Sequence, residues 1–236
     1  MISVACDLHI HTALSPCALA EMTPRNIVNM ARLAGAQVIA ITDHNSCRNV
    51  TAVTKAAGNK LLVIPGLEVW TREDVHLLCL FPSLVSAEQF GAVVYAALPD
   101  RPCDGDLFGE QYVFDEMDRI VGWEERLLLS PTSLGVDDIA SLVEQLGGCI
   151  IPAHVDRSYS LINQLGFVPP YLKIPFVEVS RRGKQPQASG MFNAVTNSDA
   201  HTLADLAGSK PWPLSVESVT IHSVISSLLA LSSTGT

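Results

Sequence analysis

Charge is scarce in this chain, and positive charge most of all. Asp, Glu, Lys and Arg supply 17% of the 236 residues, against an average of about 25%. That excludes a disordered, coiled-coil or collagen-like chain. Lys and Arg number 15 against 24 Asp and Glu, leaving a formal charge of −9. A chain of that balance is a poor general binder of polyanions. Long apolar runs are also missing. None approaches the roughly 20 residues of a membrane span, so no membrane partner is expected. The opening residues, Met1 to Asp7, carry neither the basic nor the apolar stretch of a signal peptide. The six cysteines, Cys6, Cys17, Cys47, Cys79, Cys103 and Cys149, include no C-x-x-C pair. A disulfide framework is not expected, and a reducing, cytoplasmic setting is.

Apolar residues, by contrast, make up 48% of the chain, enough for a sizeable core. Short apolar runs alternate with helix-like segments. Strands are predicted at 2–8, 38–42, 61–69, 76–81, 149–154, 176–179 and 194–198. Helices are predicted at 23–35, 49–57, 86–98, 136–146 and 221–231. The first has Thr23 as its N-cap and Pro24 at its first helical position. Such alternation implies parallel strands joined by right-handed crossovers. Six or seven units in this length predict a small α/β barrel, one domain over 1–236. The stretch 99–135 breaks the rhythm and reads as an insertion over one barrel face. Within it, Phe108 and Tyr112 either stack on a base or sugar or, the preferred reading, pack the insertion onto the barrel.

Six of the seven histidines stand at or near predicted strand ends. His9 and His11 are two apart on a strand, so they point to the same side and can share one cation. Alone, the pair fits a solvated strand face equally well. His44 follows Asp43 after the apolar run 38–41, where a capping Asp beside an incidental His is the plainer reading. Glu68 interrupts an apolar strand, where a carboxylate needs either an ion pair or a cation. His76 begins an apolar run and His154 ends one. Asp199 and His201 repeat the spacing of two. Each plain explanation works singly, but a single metal-binding rim explains all of them. In parallel barrels the C-terminal strand ends share one face, where active sites lie. Imidazole and carboxylate suit Zn, Mn and Fe. Eight ligands exceed one tetrahedral ion and suit two or three, bridged by carboxylate and water. His222, in the closing helix, lies outside the pattern.

This order of motifs resembles the PHP (polymerase and histidinol phosphatase) family, from Asp7 to about Leu206. The resemblance implies a distorted (β/α)7, TIM-like barrel with a trinuclear metal site at the C-terminal strand ends. It implies hydrolysis of phosphate esters. Carried over by position, the ligands are His9, His11, His44, Glu68, His76, His154, Asp199 and His201. A ninth family ligand, Asp or His, follows the H-x-H; here Cys17 stands in that region. Cys17 is read equally as a thiolate ligand, which would shift the site away from Mn and Mg, or as a buried neutral thiol. Asp43 is read as a residue that orients a ligand.

The expected reaction is hydrolysis by a metal-bound hydroxide, with Glu68 bridging two ions and Asp199 moving protons. Arg157, Arg181 and Arg182 are the candidate phosphate-binding cations, since arginine offers a forked pair of donors. The expected substrate is a nucleotide or sugar-phosphate ester; a 5′–3′ exonuclease or oligonucleotide phosphodiesterase is the alternative. The expected partner is thus a small phosphorylated molecule or short oligonucleotide, with no stable binding to duplex nucleic acid. A decayed, non-catalytic barrel is disfavoured by the near-complete ligand set. An amidohydrolase is disfavoured because Glu68 stands where those enzymes commonly use a lysine bridge.

Overall fold

A computed structural model describes residues 1–169, 172, 174–181 and 192–230. Its centre is a curled six-stranded sheet in the order β10-β1-β2-β3-β4-β7. The strands are β1 (Ile2–Ile10), β2 (Val38–Ile41), β3 (Leu62–Trp70), β4 (His76–Leu80), β7 (Cys149–Pro152) and β10 (Trp212–Val216). A parallel pair, β8 (Phe176–Glu178) and β9 (Asn193–Val195), continues the curl beyond β7. It returns towards β1 through a parallel bridge between Ala200 and Ile10. This is an α/β fold with a curled, half-barrel sheet.

The expected run of parallel strands is interrupted. β1, β2 and β3 are parallel, but β4 lies antiparallel to both β3 and β7, and β10 is antiparallel to β1. The cause at β4 is the connection. Only Thr71 to Val75 separate it from β3, whereas a parallel crossover needs a dozen residues or more. The reversal has a consequence for the rim. The first residue of β4, His76, falls beside the C-terminal ends of its neighbours.

Two apolar layers cover the sheet. On the outer side, Ile27, Val28 and Ala31 of α1 (Pro24–Leu33) and Val50 and Val53 of α2 (Val50–Ala57) join one buried cluster. Phe90 of α3 (Leu84–Ala96) and Ile139 of α5 (Val136–Gln145) belong to the same cluster. On the inner side, Cys6, Leu8, Val38, Ala40, Ile64, Leu78 and Ile151 form a second cluster with Val224, Ile225 and Leu228 of α8 (Ile221–Ala230). Each fully buried Leu or Ile here contributes roughly 1.5–3 kcal/mol. Helix ends follow local chemistry. Gly58 at φ 53° terminates α2, and the Ser83 hydroxyl accepts from Ser86 N–H to cap α3. Thr23 takes the N-cap position of α1 in extended backbone, but its hydroxyl makes no capping bond and is buried without a partner.

The 99–135 segment forms α4 (Gly105–Phe108) and a hairpin of β5 (Tyr112–Phe114) and β6 (Ile120–Trp123). It is tied to the sheet's rim. Tyr112 N–H donates to Ala13 O, and Asn49 Nδ2 donates to Tyr112 O. Tyr112 packs against the outer core, while the Arg101 guanidinium lies 5.0 Å over the Phe108 ring. The last two helices to be placed are α6 (Leu161–Leu165) and α7 (Leu203–Ala207).

Candidate metal centre

The inner layer changes character towards one end of the curl, from apolar to imidazole and carboxylate. A β-bulge begins the change. Asp7 pairs with Ile39 and Ile10 with Ile41, so β1 carries one extra residue against β2. Below the bulge Cys6 and Leu8 face the inner core; above it Ile10 faces the outer one. The switch turns His9 and His11 inward, a use of bulges common beside active sites. Backbone conformation does similar work elsewhere. Asn45, His154 and Asp199 adopt φ of 51°, 29° and 49°. Non-glycine residues in that region cost of order 1–3 kcal/mol each and persist where the surroundings impose them.

Glu68 is at the middle. Its Oε2 lies 3.4 Å from His9 Nε2, 3.3 Å from His11 Nε2 and 3.0 Å from His44 Nδ1. Its Oε1 lies 2.9 Å from His76 Nδ1 and 3.2 Å from His154 Nε2. One carboxylate, 1% exposed, thus faces five imidazoles. Asp199 Oδ1 approaches the same place, 3.4 Å from His9 Nε2 and 3.6 Å from His11 Nε2. His201 stacks on His11 with ring centroids 4.1 Å apart. The eight sequence-derived His, Glu and Asp residues are therefore brought together.

The electrostatics follow from burial and crowding. Burial alone would raise Glu68, but His9, His44 and His76 hold it well below the usual carboxylate range. Asp199 is lowered likewise, His9 and His11 outweighing burial. Burial lowers His44 and His201, the latter to about 4, with neighbouring imidazoles adding to the effect. Burial also opposes charge on His11, yet hydrogen bonds to Asp199 and Glu68 carry it up to about 8. Such strong perturbation in one cluster is a mark of a functional site.

The donor set fits divalent transition ions. Three groups, His11/His44/His201, His9/His11/Asp199 and His44/Glu68/His76, each offer ligand atoms within 4.8 Å of one another. His44 Nδ1 is buried and forms no hydrogen bond, although it faces the carboxylate. A bare buried ring nitrogen aimed at a carboxylate is what a cation would occupy.

A comparison with known families decides the relationship: the PHP domain profile matches residues 7–161, more than half of the chain. The chain belongs to the PHP family. No curated protein matches it. Among solved structures, the lesion-specific endonuclease Q of Pyrococcus furiosus superposes with a TM-score of 0.67 at 19% identity. That match covers 97% of this chain and 56% of the endonuclease. Endonuclease Q in complex with a 27-mer duplex, an abasic lesion at its active site, gives 0.66 at 20% identity, over 99% of this chain and 57% of that one. The PHP chain thus spans a little over half the length of these endonucleases. A Bifidobacterium adolescentis protein proposed to be a metal-dependent phosphoesterase gives 0.59 at 19% identity, with 96% of each chain covered.

The duplex complex corrects one expectation. A scarcity of positive charge led to the reading that stable duplex binding is absent, yet a protein of this fold holds a duplex at its active site. Net charge sums over the whole surface, whereas a duplex meets only a local face.

Several residues of this PHP site were not singled out from the sequence. Glu178 accepts from His9 Nδ1, from His154 N–H and from Asn197 Nδ2. Its sequence signal matched that of Glu68, a carboxylate within an apolar run. Asp7 accepts from Ser198 N–H, and Asn197 Oδ1 accepts from Leu8 N–H. Ser15 stands between His11 Nδ1 at 2.9 Å and Asp43 Oδ1 at 2.8 Å. Asp43 is thus linked to His11 through Ser15.

The candidate cations divide. Arg157 Nη1 donates to Asp199 Oδ2 at 2.7 Å, and its Nε to Ser180 Oγ at 3.0 Å. It lines a cavity of about 790 Å³ together with His154, Ser198 and Asp199. Arg181 borders the same cavity, but its guanidinium donates to the carbonyls of Asp205 and Gly208 at the end of α7. Arg182 lies outside the described residues. Cys17 joins none of the three ligand groups. The residue is exposed by surface area. Protein atoms still crowd its thiol, and that desolvation, ahead of repulsion from Glu68, pushes it up to about 12.

Proposed function

We propose that this PHP chain is a metal-dependent phosphoesterase that hydrolyses a phosphate ester of nucleotide or sugar-phosphate type. The carrying observation is the single Glu68 carboxylate shared by five imidazoles. His9, His11, His44, Glu68, His76, His154, Asp199 and His201 would hold two or three ions of Zn, Mn or Fe, with Glu68 common to two of them. Bound ions would supply a water of lowered pKa and positive charge for the phosphate oxygens.

The protein's own groups do the rest. Glu178 and the Ser15–Asp43 pair hold His9 and His11 with Nε2 towards the centre. Arg157, half exposed and anchored on Asp199, presents its guanidinium to a phosphate oxygen. Asp199 is better suited to this clamp and to metal ligation than to moving protons, because its pKa is strongly depressed. Cys17 is left outside the ligand set, since its thiol joins none of the three groups whose ligand atoms converge. Among the described residues no helix is long and apolar enough to cross a membrane. The six free cysteines support a reducing, cytoplasmic location.

The test is reconstitution with Mn or Zn, followed by a panel of nucleotide and sugar-phosphate esters and a 5′-phosphorylated oligonucleotide. Inorganic phosphate released from the small esters is the expected result. Mononucleotides released from the strand would favour the oligonucleotide reading, which the fold shared with endonuclease Q supports. A protein that takes up no transition metal and is activated by none overturns both.

A further inference from the structure

Beside His76, at the edge of the candidate metal centre, stand two aromatic rings. Tyr159 stacks on the His76 imidazole with centroids 5.9 Å apart and planes inclined at 21°. The Trp70 indole lies 5.1 Å from His76 and meets Tyr159 edge-on at 5.5 Å. Tyr159 is 49% exposed and Trp70 is partly so. Tyr159 therefore offers an aromatic surface to solvent beside a candidate metal ligand.

The indole and the backbone of the tyrosine are also tied to the rim. Trp70 Nε1 donates to Asp74 Oδ1, and Asp74 itself sits at φ 59°. A positive φ at a non-glycine residue is strain, here held by the tight Thr71–Val75 turn, in which Thr71 N–H donates to Val75 O. The Tyr159 carbonyl accepts from His76 N–H at 3.3 Å. Tyrosine and tryptophan have only two side-chain torsions, so such surface binds flat ligands at little entropic cost.

Tyr159 also shares a short loop with His154 and Arg157. That loop therefore carries a candidate metal ligand, a candidate phosphate cation and an exposed ring within six residues. A sugar offers such a ring only its C–H face, a smaller contact than a flat base makes. A nucleobase has a π-face, and stacking on aromatic side chains is tolerant of base identity.

We propose that Trp70 and Tyr159 form a stacking subsite for the nucleobase of the phosphate ester processed at the metal centre. The inference rests on the phosphoesterase reading and narrows its substrate to base-bearing esters. The base belongs either to a free nucleotide or to the end of a strand.

The experiment compares adenosine 5′-monophosphate with ribose 5-phosphate, the same ester without its base, on metal-loaded wild type, Tyr159→Leu and Tyr159→Phe. Wild type should favour the nucleotide, and Tyr159→Leu should reduce that preference in kcat/KM by about tenfold. Tyr159→Phe, which keeps a ring, should restore it. Equal loss on both substrates, or no preference in wild type, overturns the subsite and returns Tyr159 to supporting His76. Hydrolysis by wild type of neither ester nor a 5′-phosphorylated tetranucleotide overturns the phosphoesterase reading instead. A second readout is independent of catalysis. Adenosine should quench tryptophan emission of the chelator-treated protein, and Trp70→Leu should abolish the quench; a quench that survives this change, or none in wild type, overturns the subsite. A 5′-phosphorylated tetranucleotide distinguishes the sources: a preference confined to it assigns the base to a strand end, and one confined to the mononucleotide assigns it to a free nucleotide.

Discussion

Glu178 receives His9 Nδ1 on both of its carboxylate oxygens, at 3.0 and 2.9 Å. A carboxylate only accepts, so His9 carries a proton on Nδ1 and directs Nε2 to the centre. Glu178→Gln removes the charge and turns one acceptor into a donor. Metal affinity should fall by about 10–100-fold, read by competition with a chromogenic chelator. Unchanged affinity would reduce Glu178 to a packing residue.

Glu68 is predicted to be the least replaceable side chain of the site. Glu68→Gln keeps its shape but removes the charge that five imidazoles face. Turnover should fall by at least about 10²-fold, the scale of removing a group that stabilises charge in the transition state. Bound metal, counted by elemental analysis, should drop with it. A variant that retains full metal and activity would refute a shared role.

Metal uptake should release protons. His11 in the metal-free protein is raised to about 8, so at pH 7 it is mostly protonated, whereas a ligand nitrogen must be bare. Apparent affinity therefore rises with pH through about 8, and His9, held in spite of its burial well above the ordinary imidazole value by Glu178 and Glu68, extends the rise. Calorimetry at pH 7 in buffers of different ionisation heat measures the released protons directly. The sign for stability is the opposite. A raised folded pKa stabilises the metal-free protein below the unfolded value near 6.5, and that contribution is lost as pH rises through about 8.

Arg157→Ala should raise KM or lower turnover, by roughly tenfold for the loss of one charged hydrogen bond, with metal content unchanged. Kinetics equal to wild type would make Arg157 an ordinary surface residue anchored on Asp199.

Gly109, at φ 95°, lies so close to Pro16 that an added Cβ would overlap the Pro16 carbonyl oxygen. Gly109→Ala should cost about 1–3 kcal/mol from strain alone, seen as a lower melting temperature. The displaced loop also carries Ser15, the partner of His11, so metal affinity should weaken in parallel. An unshifted melting curve would show that the 99–135 segment is not braced on this loop.

Much of this was legible in the residues. His9/His11 and Asp199/His201 are readable because a strand repeats every two residues and its ends collect at one rim. Glu68 is readable because a carboxylate in an apolar strand needs an explanation; Glu178 carried the same sign in a run too short to register. The reversal at β4 was present in the five residues of its connection. β10 was hidden by Pro213, which a central strand would exclude but which an edge strand paired only with β1 accommodates. The bulge in β1 leaves no sequence mark, since the alternation of Cys6, Leu8 and Ile10 is unbroken on paper.

The curl closes where Asn197 and Ser198 meet Leu8 and Asp7, across 189 and 191 residues of sequence. Contacts of such separation form late, after loop closure has been overcome. A chain emerging from synthesis can therefore assemble the β1–β4 rim early, but Asp199 and His201 reach His9 and His11 only once the long stretch between them has been made. The proposed ligand set is completed at the last seam to close. An ion held by that set would join residues from both sides of the seam and so oppose its opening.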